Sequence, residues 1–218
     1  MKRILDFYSE RKASDEEIYS EQELDDIFAD EDEYDEVLEE FAPVMEQIKL
    51  LALDVDGVLT DGTLYMGSDG EMLKGFNAKD GMGISYAIRS GLKVCLITGR
   101  KSKIVRRRAA ELGITYVLDD VTDKAEALRM LAAVEHVKLA EIAYVGDDLN
   151  DLAPMAICGF SCAPADAADA VLDHCDLELL SDGGKGAVRE VIDLLLSAQH
   201  KLDAIIGSYL HSGQGDKQ

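Results

Sequence analysis

From Lys49 onward the chain alternates short apolar runs with stretches of helical period. LLALDV (50–55), LKVCLIT (92–98), ITYVL (114–118) and EIAYVG (141–146) have the length and near-continuous apolar character of strands buried on both faces. Between and after them, residues 81–89, 102–112, 123–134 and 149–156 carry the three- and four-residue apolar spacing of helices, and a further helix is predicted from about 187 to 202. Alternation of this kind predicts an α/β fold built on a doubly wound parallel sheet. One segment breaks it: DGTLYMGSDGEMLKGF (61–76) reads as a β-hairpin turning at residues 67–70.

The first 47 residues follow another pattern. They hold no glycine, and Ile18, Leu24, Ile27, Phe28, Tyr34, Val37, Leu38 and Phe41 recur at mixed three- and four-residue steps, with Ser14 and Glu17 as a capping pair and Pro43 as a break. This segment is read as an acidic extension, partly disordered or helical, ahead of a domain at 48–203 and a C-terminal tail at 204–218, of which HSGQGDKQ is expected not to order.

Doubly wound sheets bind ligands beyond the carboxyl ends of their strands, and that is where the polar residues collect. Asp54 and Asp56 follow the first run. Thr98, Gly99 and Arg100 follow the second, and Lys124 opens the helix after the third. Gly146, Asp147, Asp148 and Asp151 follow the fourth. Three carboxylates in one pocket repel unless a cation joins them, and all-oxygen ligation suits Mg2+. Lys124 and Thr98 are of the types that hold phosphoryl oxygens, and a carboxylate beside the metal is a fitting nucleophile. Asp56, two residues on, is placed to act as general acid and base.

Charge narrows the partners. The chain of 218 residues carries a net charge of −22. Residues 1–47 hold 18 acidic and 4 basic residues, and the other 171 residues hold 26 and 18. A nucleic-acid partner is therefore not expected. No apolar run reaches membrane-spanning length, and the N-terminus lacks the apolar core of a secretory signal, so no membrane partner and a cytoplasmic location are expected. Cys95, Cys158, Cys162 and Cys175 form no Cys-x-x-Cys pair and are read as reduced and structural.

LALDVDGVLTDG resembles the first motif of the haloacid-dehalogenase-type phosphatases. ITGR resembles the second, Lys124 in TDKAEAL the third and GDDLND the fourth, all in family order. The resemblance implies a Rossmann-type sheet, with Asp54 as nucleophile and Asp56 as acid and base. It implies that Thr98 and Lys124 bind the phosphoryl group, and that Asp54, the Asp56 carbonyl and Asp147 hold magnesium with support from Asp148 or Asp151. Only 43 residues separate Asp54 from Thr98, and 22 separate Lys124 from Asp147, so neither gap has room for a cap domain. The hairpin, with Leu64, Tyr65, Met66, Met72, Leu73 and Phe76, is left to cover the site or to contact another subunit.

This capless layout is similar to that of the 3-deoxy-D-manno-octulosonate 8-phosphate phosphatases of lipopolysaccharide sugar synthesis. GEMLKGFNAKDGMGI, TGRK, AYVGDDLND and GGKGAVREVIDLLLSAQ carry the likeness, from about 48 to 203. It implies hydrolysis of a sugar-acid phosphate by a homotetramer whose subunits cover each other's sites. It also implies substrate contacts at Asp56, Asn77, Ala78, Lys79, Asp80, Gly81, Arg100, Arg108, Lys124 and Arg189. Two positions depart from or refine the pattern: Asp119-Asp120 stands where the family often has Gln-Gly, and Arg100 stands where relatives acting on nine-carbon sugar acids tend to have Glu. A phosphatase for the 9-phosphate of a nine-carbon, sialic-type sugar acid and a non-catalytic scaffold are the alternatives.

Overall fold

In a computed structural model the described residues are 34 and 36–212. The chain divides into two compact units, 1–40 and 41–218. In the first, residues 34 and 36–40 are helical. The capping pair Ser14/Glu17, the apolar positions before Tyr34, and residues 213–218 lie outside the described residues.

The second unit holds a six-stranded sheet and a separate hairpin. Strands β1 (Leu50–Leu53), β4 (Lys93–Ile97), β5 (Tyr116–Leu118) and β6 (Ile142–Val145) occupy the four predicted runs. The hairpin pairs β2 (Tyr65–Gly67) with β3 (Gly70–Leu73) and turns through Ser68 and Asp69. Helices α1 (Ala78–Arg89), α2 (Lys103–Leu112) and α3 (Lys124–Glu135) link the strands in the predicted places. Each starts on a side-chain cap: Asn77 accepts from the Lys79 N–H, Ser102 from the Val105 N–H and Asp123 from the Glu126 N–H.

Beyond β6 the fold has more elements than the pattern predicts. A 3-10 turn (Leu149–Asp151) runs into a short α4 (Leu152–Met155), where one helix is expected. Strand β7 (Phe160–Ala163), helix α5 (Asp169–Leu172) and strand β8 (Leu177–Glu178) follow. β7 is four residues long and contains Ser161, whose hydroxyl donates to Asp176 at 2.7 Å, so its apolar run is too short and too mixed to stand out. The predicted helix at 187–202 ends early: α6 spans Ala187–Ala198, His200 turns with φ 55°, and α7 (Leu202–Ser212) sets off anew. The tail marked off at 204 therefore begins inside α7, and His211 and Ser212 are helical.

The strand order β5-β4-β1-β6-β7-β8, with every pair parallel, places β1 at the reversal of the winding. All four residues of β1 and of β6 are buried. The core continues into Leu128, Leu131, Tyr144 and Met155 on one side of the sheet. On the other, α1 packs on α6, whose Val188, Val191, Ile192 and Leu195 are fully buried. The second unit takes in the end of the acidic segment: Met45 is buried, the Gln199 amide donates to the carbonyls of Met45 (3.2 Å) and Ile48 (2.9 Å), and the Phe41 ring lies 5.3 Å from that of Phe160. All four cysteines are free thiols, with Cys95 and Cys162 buried. Among the described residues no helix is long and apolar enough to cross a membrane.

Phe160 joins β7 to the Phe41 segment and is 1% exposed. Phe160→Ala is expected to destabilise the domain by about 3–5 kcal/mol. In urea unfolding this appears as a lower midpoint at an unchanged m-value.

Candidate active site

Asp54 stands one residue past β1, and its N–H still donates to the Val145 carbonyl at 3.0 Å, so the sheet ladder fixes its place. The chain then turns sharply. The N–H groups of Val58, Leu59 and Thr60 all point at the Val55 carbonyl, at 3.4, 3.0 and 3.0 Å. The turn needs Gly57 twice over: its φ is 96°, and a Cβ there would overlap Asp147 Oδ2. Gly183 packs onto the same turn, and a Cβ on it would overlap the Gly57 carbonyl.

Lys124 is the first residue of α3, and its side chain is 2% exposed. Its Nζ lies 3.0 Å from Asp54 Oδ1 and 2.7 Å from Asp151 Oδ1. Burial works against this ammonium, but Asp54 and Asp151 outweigh it and hold its pKa above the usual lysine value. Asp151 is fully satisfied. Its Oδ1 also accepts the Tyr144 hydroxyl at 2.6 Å, and its Oδ2 accepts the N–H groups of Asp147 (3.2 Å) and Asp148 (3.4 Å). Asp147 is the opposite case, for its Oδ1 is buried with no hydrogen-bond partner.

Asp54, Asp147 and Asp151 each offer an oxygen within 4.8 Å of the others. Burial, then Asp151, pushes the Asp54 carboxyl up to about 6 against the pull of Lys124. Burial, then Asp54 and Asp151, pushes Asp147 up to about 8. Three carboxylates facing one ammonium leave negative charge uncompensated, and Asp147 Oδ1 is an acceptor with nothing bound. The residues fit a hard divalent cation. Asp148 fits less well: it is exposed, and its Oδ1 accepts the Leu149 N–H at 2.7 Å.

The remaining predicted residues surround this cluster unequally. Thr98 is 2% exposed at the end of β4, where its backbone bonds to Leu118 and Val121 and its Oγ1 accepts the Arg100 N–H at 3.3 Å. Asp56 is paired with Lys74 and lies 3.7 Å from Arg100 Nε. Asn77 caps α1, Ala78 and Lys79 are exposed, and Asp80 and Gly81 are buried. Asp80 Oδ1 accepts the Arg189 N–H at 2.8 Å at the start of α6, joining two of the segments singled out in the sequence. The Arg189 side chain is not brought to the Asp54 cluster: its Nε donates to Asp193 at 2.7 Å and its guanidinium lies over the Tyr86 ring at 5.1 Å.

Of the three consecutive arginines, Arg106 forms a bidentate pair with Asp119 (2.7 and 2.6 Å), and Arg107 is exposed beside Glu111. Arg108 packs on Gly81. With Lys74, Phe76, Lys103, Ile104 and Glu111, Arg107 and Arg108 line a groove of about 430 Å³, in which Glu111 lies 3.6 Å from Arg108 Nη1 and the cations outnumber the one carboxylate.

Comparison with known proteins decides the family. Residues 114–192 match the model of haloacid dehalogenase-like hydrolases. The 3-deoxy-D-manno-octulosonate 8-phosphate phosphatase of Escherichia coli K12 is 49% identical over 162 residues, which is 74% of this chain and 86% of that protein. The chain belongs to this phosphatase family. The fold agrees. The Moraxella catarrhalis family enzyme, solved with magnesium, phosphate and KDO, superposes with a TM-score of 0.76 at 39% identity, over 78% of this chain and 98% of that one. The cobalt-bound enzyme of Haemophilus influenzae gives 0.74 at 40% identity, over 77% and 99%. The absence of a cap is visible directly: only the hairpin and α1 lie between β1 and β4, and only a 3-10 turn lies between α3 and β6.

The family's departure at 119–120 has a structural counterpart. Asp120 takes the left-handed conformation, φ 61°, which glycine adopts most readily and aspartate tolerates. Asp119 is occupied by Arg106. Two residues escaped the sequence reading of the site. Tyr144 reads as one more apolar position of β6, although a buried phenol needs a partner and finds Asp151. Lys74 is not among the predicted substrate contacts, yet its side chain is 2% exposed and bound to Asp56.

Asp54 and Asp147 hold protons in the metal-free folded chain at pH values where the unfolded chain, with carboxyls near 3.8, has released them. Their contribution to stability is therefore lost as pH rises from about 4 through about 8, and a cation replaces those protons. Addition of MgCl2 should raise Tm more at pH 8 than at pH 5.5, and Asp147→Asn should remove that difference. Scanning calorimetry at the two pH values checks it; an equal rise at both in the wild-type protein would contradict the assignment.

Proposed function

We propose that the protein hydrolyses 3-deoxy-D-manno-octulosonate 8-phosphate to the free sugar acid and inorganic phosphate, as a magnesium-dependent cytoplasmic phosphomonoesterase. The observation that carries this reading is the Asp54–Lys124–Asp151–Asp147 cluster at the carboxyl end of β1, in a chain 49% identical to an enzyme of that name.

Asp54, Asp147 and the Asp56 carbonyl would hold the magnesium ion, which neutralises carboxylate and phosphoryl charge when bound. Asp151 positions the Lys124 ammonium, which faces a phosphoryl oxygen together with the Thr98 hydroxyl. An Asp54 carboxylate oxygen attacks phosphorus, and the bond from phosphorus to the sugar oxygen breaks as Asp56 delivers a proton to that oxygen. In the second half Asp56 takes a proton from water as the water oxygen attacks the aspartyl-phosphate. The bond from phosphorus to Asp54 breaks, phosphate leaves, and the proton is back on Asp56.

Arg100, Arg108, Lys79 and the groove beside them supply positive charge for a substrate bearing both phosphate and carboxylate, within an acidic protein. Asn77, Ala78, Asp80 and Gly81 shape that side of the site. Arg189, held by Asp193 in its own chain, reads as a contact to a neighbouring subunit's site. We assign a homotetramer on the open, capless site and on the hairpin face, where Met66 and Met72 are 58% and 66% exposed.

Asp54→Asn should lower turnover on the order of 10⁴-fold or more while leaving the fold intact. Phosphate release is measured with the octulosonate 8-phosphate and with the 9-phosphate of a nine-carbon sugar acid, each with MgCl2. A higher kcat/KM for the nine-carbon ester would move the assignment to that substrate. No release from any sugar phosphate would leave a non-catalytic scaffold.

A further inference from the structure

Asp56 is reached from the hairpin. The Lys74 side chain, just past β3, is 2% exposed, although its neighbours Met72 and Leu73 are 66% and 48% exposed. Its ammonium pairs with Asp56 Oδ1 and lies 3.2 Å from Glu71 Oε1. Glu71 in turn accepts the hydroxyl of Ser102, the N-cap of α2. A lysine withdrawn from water on a solvent-exposed hairpin is costly unless its charge is matched, and here two carboxylates match it. Arg100 stands 3.7 Å from the other oxygen, Asp56 Oδ2, on a side chain that is 55% exposed.

This arrangement gives the two Asp56 oxygens different surroundings. Oδ1 is held by a buried ammonium that the hairpin carries and that Glu71 and Ser102 anchor to α2. Oδ2 is the oxygen that the hairpin leaves available. Asp56 opens a turn shaped by Gly57, so its backbone is held between β1 and that turn, while its carboxylate is held by this outside contact. We propose that Lys74, backed by Glu71, is a positioning residue of the acid and base step: it aims Asp56 Oδ2 at the sugar oxygen that leaves and at the water that enters. The inference rests on the assignment of Asp56 as acid and base. It makes the hairpin part of the chemistry as well as a cover, because a shift of β3 moves the group that orients the proton donor.

The test is Lys74→Met, compared on an alkyl sugar phosphate and on p-nitrophenyl phosphate, with MgCl2 and the full chain. A misaimed Asp56 should lower kcat for the alkyl ester about 10–100-fold, less than the roughly 10²–10⁴-fold of general acid and base catalysis because the carboxyl itself remains, with KM within about two-fold. The first-turnover release of p-nitrophenolate, which needs no proton, should stay within about three-fold of wild type. The slower second half should then appear as a burst of nitrophenolate. Lys74→Arg should recover most of the alkyl rate. The double variant Lys74→Met/Glu71→Gln removes the Glu71 charge together with its partner, and it should show the same selective loss if the single variant is poorly folded. A rise in KM with kcat unchanged, or an equal loss in the first turnover of both esters, would overturn the proposal. Unchanged kinetics in an active protein would overturn it alone, whereas a wild-type chain inactive on both esters would remove the phosphatase assignment beneath it.

Discussion

The Lys124 ammonium lies between Asp54 and Asp151, 3.0 and 2.7 Å away, on a side chain almost sealed from water. A lone charge in that position is expensive to bury, and so are two carboxylates without it. The rest of the site supports this bridge. Asp123 fixes the first turn of α3 so that Lys124 enters at the right height, and the backbone bonds between Thr98, Leu118 and Val121 hold the ends of β4 and β5 beside it. Tyr144 and the two N–H groups of the β6 loop fill the remaining capacity of Asp151. One carboxylate is thereby committed to orientation. The excess charge falls on Asp54 and Asp147, whose carboxyls are the two pushed upward.

The sheet makes this division possible. β1 lies between β4 and β6 where the winding reverses, so loops from both halves converge on Asp54 with no long connection. The close approach of the Asp56–Thr60 turn to the Asp147 loop depends on Gly57, and the Gly183 segment closes in from behind. Small residues at these crossings let the carboxylates come close, and burial first, then this nearness, raises the Asp54 and Asp147 pKa values.

The parts legible in the sequence are those with a local signature. Four apolar runs marked the central strands, and polar residues directly after them marked the cluster, because a parallel sheet forces both. Tyr144 and Lys74 were not legible as site residues, since their roles depend on partners 7 and 18 residues away that only the fold brings near. The same holds for Arg189. The family likeness implies a substrate contact, whereas its partners in this chain are Asp193, one helical turn on, and the Tyr86 ring. β7 and β8 were missed for a different reason: Ser161 interrupts the four residues of β7 and β8 has only two, so neither carries a continuous apolar run.

Net charge and local field diverge in this protein for a structural reason. A total of −22 would repel an anionic substrate if it were spread evenly, but 18 of the acidic residues lie in the first 47 positions. On the hairpin and arginine side of the site the carboxylates are matched: Asp56 by Lys74 and Arg100, Glu71 by Lys74, Asp119 by Arg106. Matching is not symmetric, however. Lys74 is nearly buried and pairs with both Asp56 and Glu71, while the Arg100 side chain stays more than half exposed. The hairpin therefore presents exposed apolar side chains, Met66 and Met72 among them, to solvent and withdraws one ammonium toward Asp56, so its two faces differ in chemistry as well as in exposure.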